Sequence, residues 1–124
     1  MRFLLIIAKN VSQATLNQFL DHLDYIVKLV GVNHMSLGLD YYTGQWPYVS
    51  DEEALRNYNV NIKKGVWKAK TYPIPPHKYA QGIETPDKIM NLKPALLQRG
   101  YSELDCEKIL GKNLMRLFSE VWKS

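Results

Sequence analysis

The apolar stretch Leu37-Gly38-Leu39 ends on a carboxylate, Asp40, and Tyr41, Tyr42, Thr43 and Gly44 follow at once. A buried carboxylate is costly unless it has a partner or a task, whereas an aspartate in a solvated turn needs neither. If Asp40 ends a strand of a parallel βα barrel and points inward, it lies at the rim where such barrels carry catalytic residues. The aromatic residues after it, Tyr41, Tyr42, Trp46 and Tyr48, can wall a pocket, and they can equally form a small satellite core.

The other residues with chemical potential point to plainer roles. His22-Leu23-Asp24 has the spelling of a metal-binding His-x-Asp, but it lies in a helical pattern, where residues two apart diverge. His34 falls at the start of the Asp40 segment, and His77 sits in a proline-rich stretch that could approach its other end. No pair of histidines has metal-ligand spacing, so no metal ligand is assigned in this chain. Cys106 stands alone, which excludes an internal disulfide and a thiolate zinc cluster, and in a helix it reads as a small hydrophobe. Arg99 and Arg116 read as solvated or helix-end charges.

The surrounding pattern is what must position Asp40. Met1–Lys9 is a continuous apolar run that suits a strand buried on both faces. Leu16, Phe19, Leu20, Leu23, Ile26, Val27 and Val30 follow helical spacing, with Thr15 and Gln18 as a capping box and Gly31 as the stop. His34–Asp40 then alternates, Met35, Leu37 and Leu39 against Ser36, Gly38 and Asp40, which reads as a strand. Strand, helix and strand at this spacing imply a parallel βαβ unit with a right-handed crossover. Ser50 with Glu53 opens a helix expected over 50–58. Periodicity fades over 59–86, a long proline- and aromatic-rich loop. Three further helices are expected: one from near Pro94 to Gly100, one over Ser102–Leu110 and one over Asn113–Lys123, with Ser102 and Asn113 as N-caps.

Bulk properties narrow the class. The 124 residues are 46% apolar and 23% charged, the balance of a globular segment, and residues 1–124 read as a single unit. The net charge is +4, but the lysines are scattered rather than massed, so a nucleic-acid partner is not expected. Phe3–Ala8 is too short to cross a bilayer and lacks the features of a secretion signal, so the expected setting is cytoplasmic, with no membrane partner.

The stretch DHLDYIVKLVGVNHMSLGLDYYTG resembles the "HxDHI…vG.dhv.iGsDfDG" region of the membrane (renal) dipeptidase family. RGYSELDCEKILGKNLMRLFSEV resembles that family's closing "rGyseediraILGgNflRvf.ev", and YPIPPHKYAQGIETP is similar to an insertion in some bacterial members. The three lie in the family's order between Thr15 and Trp122. The resemblance implies a zinc-dependent dipeptidase of the amidohydrolase superfamily, built on a TIM (β/α)8 barrel. This chain would be its C-terminal segment: α/β, helix-rich, with strands seven and eight, their helices and the closing helices. Met1–Lys9 would fall near strand seven and His34–Asp40 at strand eight. Asp40 would be the catalytic aspartate at the barrel mouth, binding the dipeptide's amino group and passing a proton to the leaving amine, with Tyr41 and Tyr42 beside the substrate. Two zinc ions in the parent family would keep such a carboxylate ionised.

The match has departures. The second aspartate of "DfDG" is not preserved, one residue is extra, and Met1–Asn10 fits the family pattern poorly. A whole barrel takes about 250 residues, and the family's zinc ligands lie upstream of the matched region. The expectation is therefore a dipeptidase-like segment that binds no zinc and is inactive alone, completed by an N-terminal chain or by self-association. The alternative is a non-catalytic, self-associating module derived from the barrel.

Overall fold

Seven apolar positions at helical spacing produce the first element, α1, Leu16–Val30. The computed structural model describes residues 13–44, 46–72 and 74–122. Thr15 and Gln18 close the capping box reciprocally: the Gln18 amide donates to Thr15 Oγ1 at 3.1 Å, and the Thr15 amide donates to Gln18 Oε1 at 2.9 Å. Gly31 ends the helix at φ 81°, a conformation that favours glycine, with its N–H on the Val27 carbonyl. The inward stripe is strongest at Phe19, Leu20 and Leu23, and it fades toward an exposed Val30.

The strand expected over His34–Asp40 is not formed. His34 closes a short 3-10 turn, Val32–His34, and the residues from Met35 to Tyr42 run on without ladder bonds. A strand needs a neighbour to exchange N–H···O bonds with, and among the described residues there is none. The other expected strand, Met1–Lys9, lies outside the described residues. The alternation itself survives: Met35 is buried, Leu37 and Leu39 pack against the core, and Gly38 and Asp40 are exposed.

Helix α2, Asp51–Lys63, starts at an N-cap Ser50 whose hydroxyl accepts the Glu53 amide. It continues five residues past Tyr58, because Ala54, Tyr58 and Ile62 fall four apart on one inward face. Against that face lies a satellite cluster: Trp67 packs 6.1 Å from Tyr58 and stacks on Tyr72 at 5.1 Å, and the Tyr58 hydroxyl donates to the Tyr72 carbonyl.

The chain then passes through a 3-10 turn, Pro86–Asn91, into α3, Leu92–Gln98, and α4, Glu103–Glu107. A wide turn over Lys108–Lys112 leads on to α5, Asn113–Val121. The main core joins Phe19, Leu20 and Leu23 of α1 to Met35, Ile83, Leu92 and Leu96, and to Cys106 and Ile109. Cys106 is fully buried, and burial pushes its thiol up, as suits a small hydrophobe. Asn113, expected as an N-cap, is instead a buried helix residue. Its amide donates both hydrogens outward, to the carbonyls of Val32 at 2.7 Å and Met35 at 2.8 Å, which fixes α5 to the start of the Asp40 segment.

Arg99 is a helix-end charge, the C-cap of α3, but it is paired rather than simply solvated. Its Nη1 donates to Asp24 at 2.6 Å and Asp21 at 2.8 Å, and its Nη2 donates to the Asn17 carbonyl at 2.9 Å. The Tyr101 hydroxyl donates to the other Asp24 oxygen at 2.7 Å. Arg116 likewise reaches back, donating to the Asn33 carbonyl. At Asp24, burial alone would raise the carboxyl, but the Tyr101 hydroxyl and Arg99 outweigh it and hold the group below its ordinary value. A depressed folded pKa stabilises the fold above the unfolded value near 4 and loses that contribution as pH falls through the lower folded value. Asp24→Asn is therefore expected to melt below the native chain at pH 7, by a gap that narrows steadily below about pH 4. Thermal melts of both proteins from pH 7 to pH 2.5 check this, and a gap independent of pH would exclude the ionic contribution.

Candidate functional site

Asp40 lies at the outer end of the extended segment, and its backbone enters the left-handed region at φ 48°. Aspartate and asparagine tolerate that conformation better than most residues, so the turn alone accounts for an Asp or Asn here. It does not account for a charge. The Asp40 side chain is exposed, and the chain reverses just beyond it.

Three tyrosines surround this turn. Tyr41 is turned inward: its hydroxyl donates to the Ile83 carbonyl at 2.8 Å, and its ring lies 4.9 Å from that of Tyr79, tilted at 59°. Burial, and then the negative charge of neighbours that include Asp87 and Glu84, push its phenol up to about 12, so it remains a neutral donor at physiological pH. Tyr42 is turned outward over Gly44, where a Cβ would overlap its ring. Tyr79 reaches the turn from the long loop. Its hydroxyl donates to the Asp40 carbonyl at 3.0 Å and accepts the Tyr42 amide at 2.8 Å.

The loop that carries Tyr79 is itself held in place. The Gln81 amide donates to the Ala14 carbonyl, and Gln13 Nε2 donates to the Tyr79 carbonyl at 2.9 Å. At Glu84, burial would raise the carboxyl, but the Gly82 amide and Lys88 more than compensate and keep it low. Beyond the turn, the Lys78 ammonium sits 5.5 Å over the Trp46 ring and 3.9 Å from Asp51.

The structure thus brings Asp40, Tyr41 and Tyr42 together and adds Tyr79, which lies 39 positions away in sequence and carries no local signal. It does not bring the histidines into one cluster. His22 is exposed on α1, beside a Leu23 that is buried and an Asp24 that serves Arg99, and His34 lies at the far end of the segment from Asp40.

A family model described as membrane dipeptidase (Peptidase family M19) matches residues 2–70, more than half of the chain and all of the Asp40 turn. The chain belongs to the membrane dipeptidase family. The match begins at residue 2, so the N-terminal run fits the family pattern better than its spelling suggests. The chain is also similar to Dipeptidase tcpJ of Claviceps purpurea (strain 20.1), 27% identical over 113 residues. That alignment covers 91% of this chain but only 19% of the relative's length. No solved structure matches the chain.

The family resemblance implies zinc, which needs a cluster of nitrogen, sulfur or oxygen ligands. Among the described residues, no group of three or more His, Cys, Asp or Glu side chains could hold a metal ion. The donor set here does not fit a zinc centre, and no chemical step is assigned through one. Among the same residues, no helix is long and apolar enough to cross a membrane.

Proposed function

We propose that this chain is the C-terminal segment of a dipeptidase-like barrel and supplies the substrate-facing rim of a zinc-dependent dipeptidase. One observation carries the reading: within the family-matched residues, an exposed carboxylate stands at the tip of a turn buttressed on its inner side by aromatic rings. In this reading Asp40 holds the ammonium of a dipeptide, takes a proton from the water whose oxygen bonds to the peptide carbonyl carbon, and passes it to the nitrogen that leaves as the peptide C–N bond breaks. Tyr42 contributes its outward ring to the substrate wall. Tyr41 contributes by packing, since its hydroxyl is engaged with Ile83. The metal ligands belong to parts of the barrel outside this chain, so the chain alone does not hydrolyse dipeptides, and its cytoplasmic setting is part of the same proposal.

The purified chain is therefore expected to retain zinc no better than an unstructured control peptide after dialysis against a weak chelator, and to show no dipeptide turnover. Stoichiometric zinc, or turnover that depends on it, would place a metal centre within these residues and sink the assignment.

A second reading, the self-associating module, is favoured by apolar side chains left open on α5 and the end of α1. Met115 is 68% exposed, Val121 65%, Trp122 71% and Leu29 65%. Leaving a large apolar side chain in water forgoes roughly 1.5–3 kcal/mol each. Sedimentation at micromolar concentration is expected to show a dimer or larger assembly, and a cooperatively melting monomer would remove the basis for it.

A further inference from the structure

We propose that Tyr79 is a positioning residue for Asp40: its hydroxyl bridges the two peptides that flank Tyr41 and so fixes the backbone from which the Asp40 carboxylate projects. This deepens the reading above and rests on it for the functional consequence, although the bridge itself stands on geometry alone.

A left-handed residue at the end of an unpaired segment has little to hold it, because the ladder that would fix a strand end is absent among the described residues. The Tyr79 hydroxyl takes that part. It donates to the Asp40 carbonyl at 3.0 Å and accepts the Tyr42 amide at 2.8 Å, so one oxygen satisfies both sides of the turn. Its ring packs at 4.9 Å on Tyr41, whose own hydroxyl is anchored on Ile83. Behind it, Gln13 binds the Tyr79 carbonyl, which limits movement of the loop backbone. Reorienting the turn over Asp40–Tyr42 therefore breaks two bonds and displaces a packed ring pair. A backbone held in this way gives the Asp40 side chain a fixed point of departure, one condition for proton transfer at a set angle and distance.

The test removes one oxygen. Tyr79→Phe keeps the ring and loses the bridge. In the full chain, hydrogen exchange of the Tyr42 amide is expected to quicken at least tenfold, while the melting midpoint changes little. In a longer dipeptidase carrying this segment, Tyr79→Phe is expected to lower kcat about tenfold with KM little changed, and to add nothing in an Asp40→Asn background. Unchanged Tyr42 exchange would overturn the bridge, and a loss that adds fully to that of Asp40→Asn would overturn action through Asp40. If Asp40→Asn is itself neutral, the proton-transfer reading fails while the exchange measurement still decides the bridge. Should Tyr79→Phe unfold the chain, the nuclear Overhauser effect between the Tyr42 amide proton and the Tyr79 ring protons in the native chain reads the same contact, and its absence overturns the proposal.

Discussion

Asp40→Asn is expected to lower kcat by about 10²–10⁴-fold in a longer dipeptidase carrying this segment, the usual cost of losing a positioned proton-transfer group. The substitution is unusually clean because of the backbone. Asparagine accepts the left-handed φ of 48° as readily as aspartate does, and the bonds from Tyr79 go to the main chain rather than to the carboxylate. The fold of the turn should therefore persist while the charge and the proton-carrying capacity disappear. Asp40→Ala would mix that loss with backbone strain and is the poorer experiment. If Asp40 also grips the substrate ammonium, KM rises as well. Kinetics with a dipeptide and with its N-acetylated form separate the two parts, because the acetylated form has no ammonium to lose. Native turnover in the Asn variant would reduce Asp40 to a residue chosen for its turn.

The second large effect belongs to the core. Leu96 is fully buried on α3, four residues after the equally buried Leu92, and both sit in the cluster with Leu20 and Leu23 of α1. Truncation to alanine removes apolar contacts and leaves a cavity, at a cost of about 2–5 kcal/mol. That is a large share of the roughly 5–15 kcal/mol that holds an ordinary domain together, so Leu96→Ala should unfold at far lower denaturant. Met115→Ala is the matched control: at 68% exposure in the single chain it should cost the monomer no more than about 0.5 kcal/mol of stability. Equally large losses would mean that a partner covers α5, and equally small ones that α3 is not the centre of the core.

Features signalled by neighbours in sequence were legible from the residues alone. The capping box of α1 and its Gly31 stop need only three or four consecutive positions, and both are where spacing puts them. The in-and-out alternation after His34 was legible for the same reason. What it could not disclose was pairing, because a strand is a property of two segments and the alternation belongs to one. The rest depends on partners that local patterns do not encode. Arg99 finds Asp24 across 75 positions, Asn113 finds Val32 across 81, and Tyr79 finds Asp40 across 39. A cap motif suggested Asn113 as a helix start, and its burial against two carbonyls prevailed. At the candidate site, Asp40 was visible because an acid ending an apolar run is conspicuous, whereas Tyr79 was one aromatic among several in a loop without period.

At Asn113 an amide and an acid are not interchangeable. Its amide nitrogen faces two carbonyl oxygens at 5% exposure, so the position needs a group that donates twice. Deamidation, the slow hydrolysis of an asparagine side chain, would leave there a carboxylate that can only accept. Three oxygens would then crowd together with no hydrogen between them, in a place where a charge is poorly solvated. A deamidated surface asparagine merely changes the charge of a stored sample. At this position the same change would push α5 away from the segment that leads to Asp40.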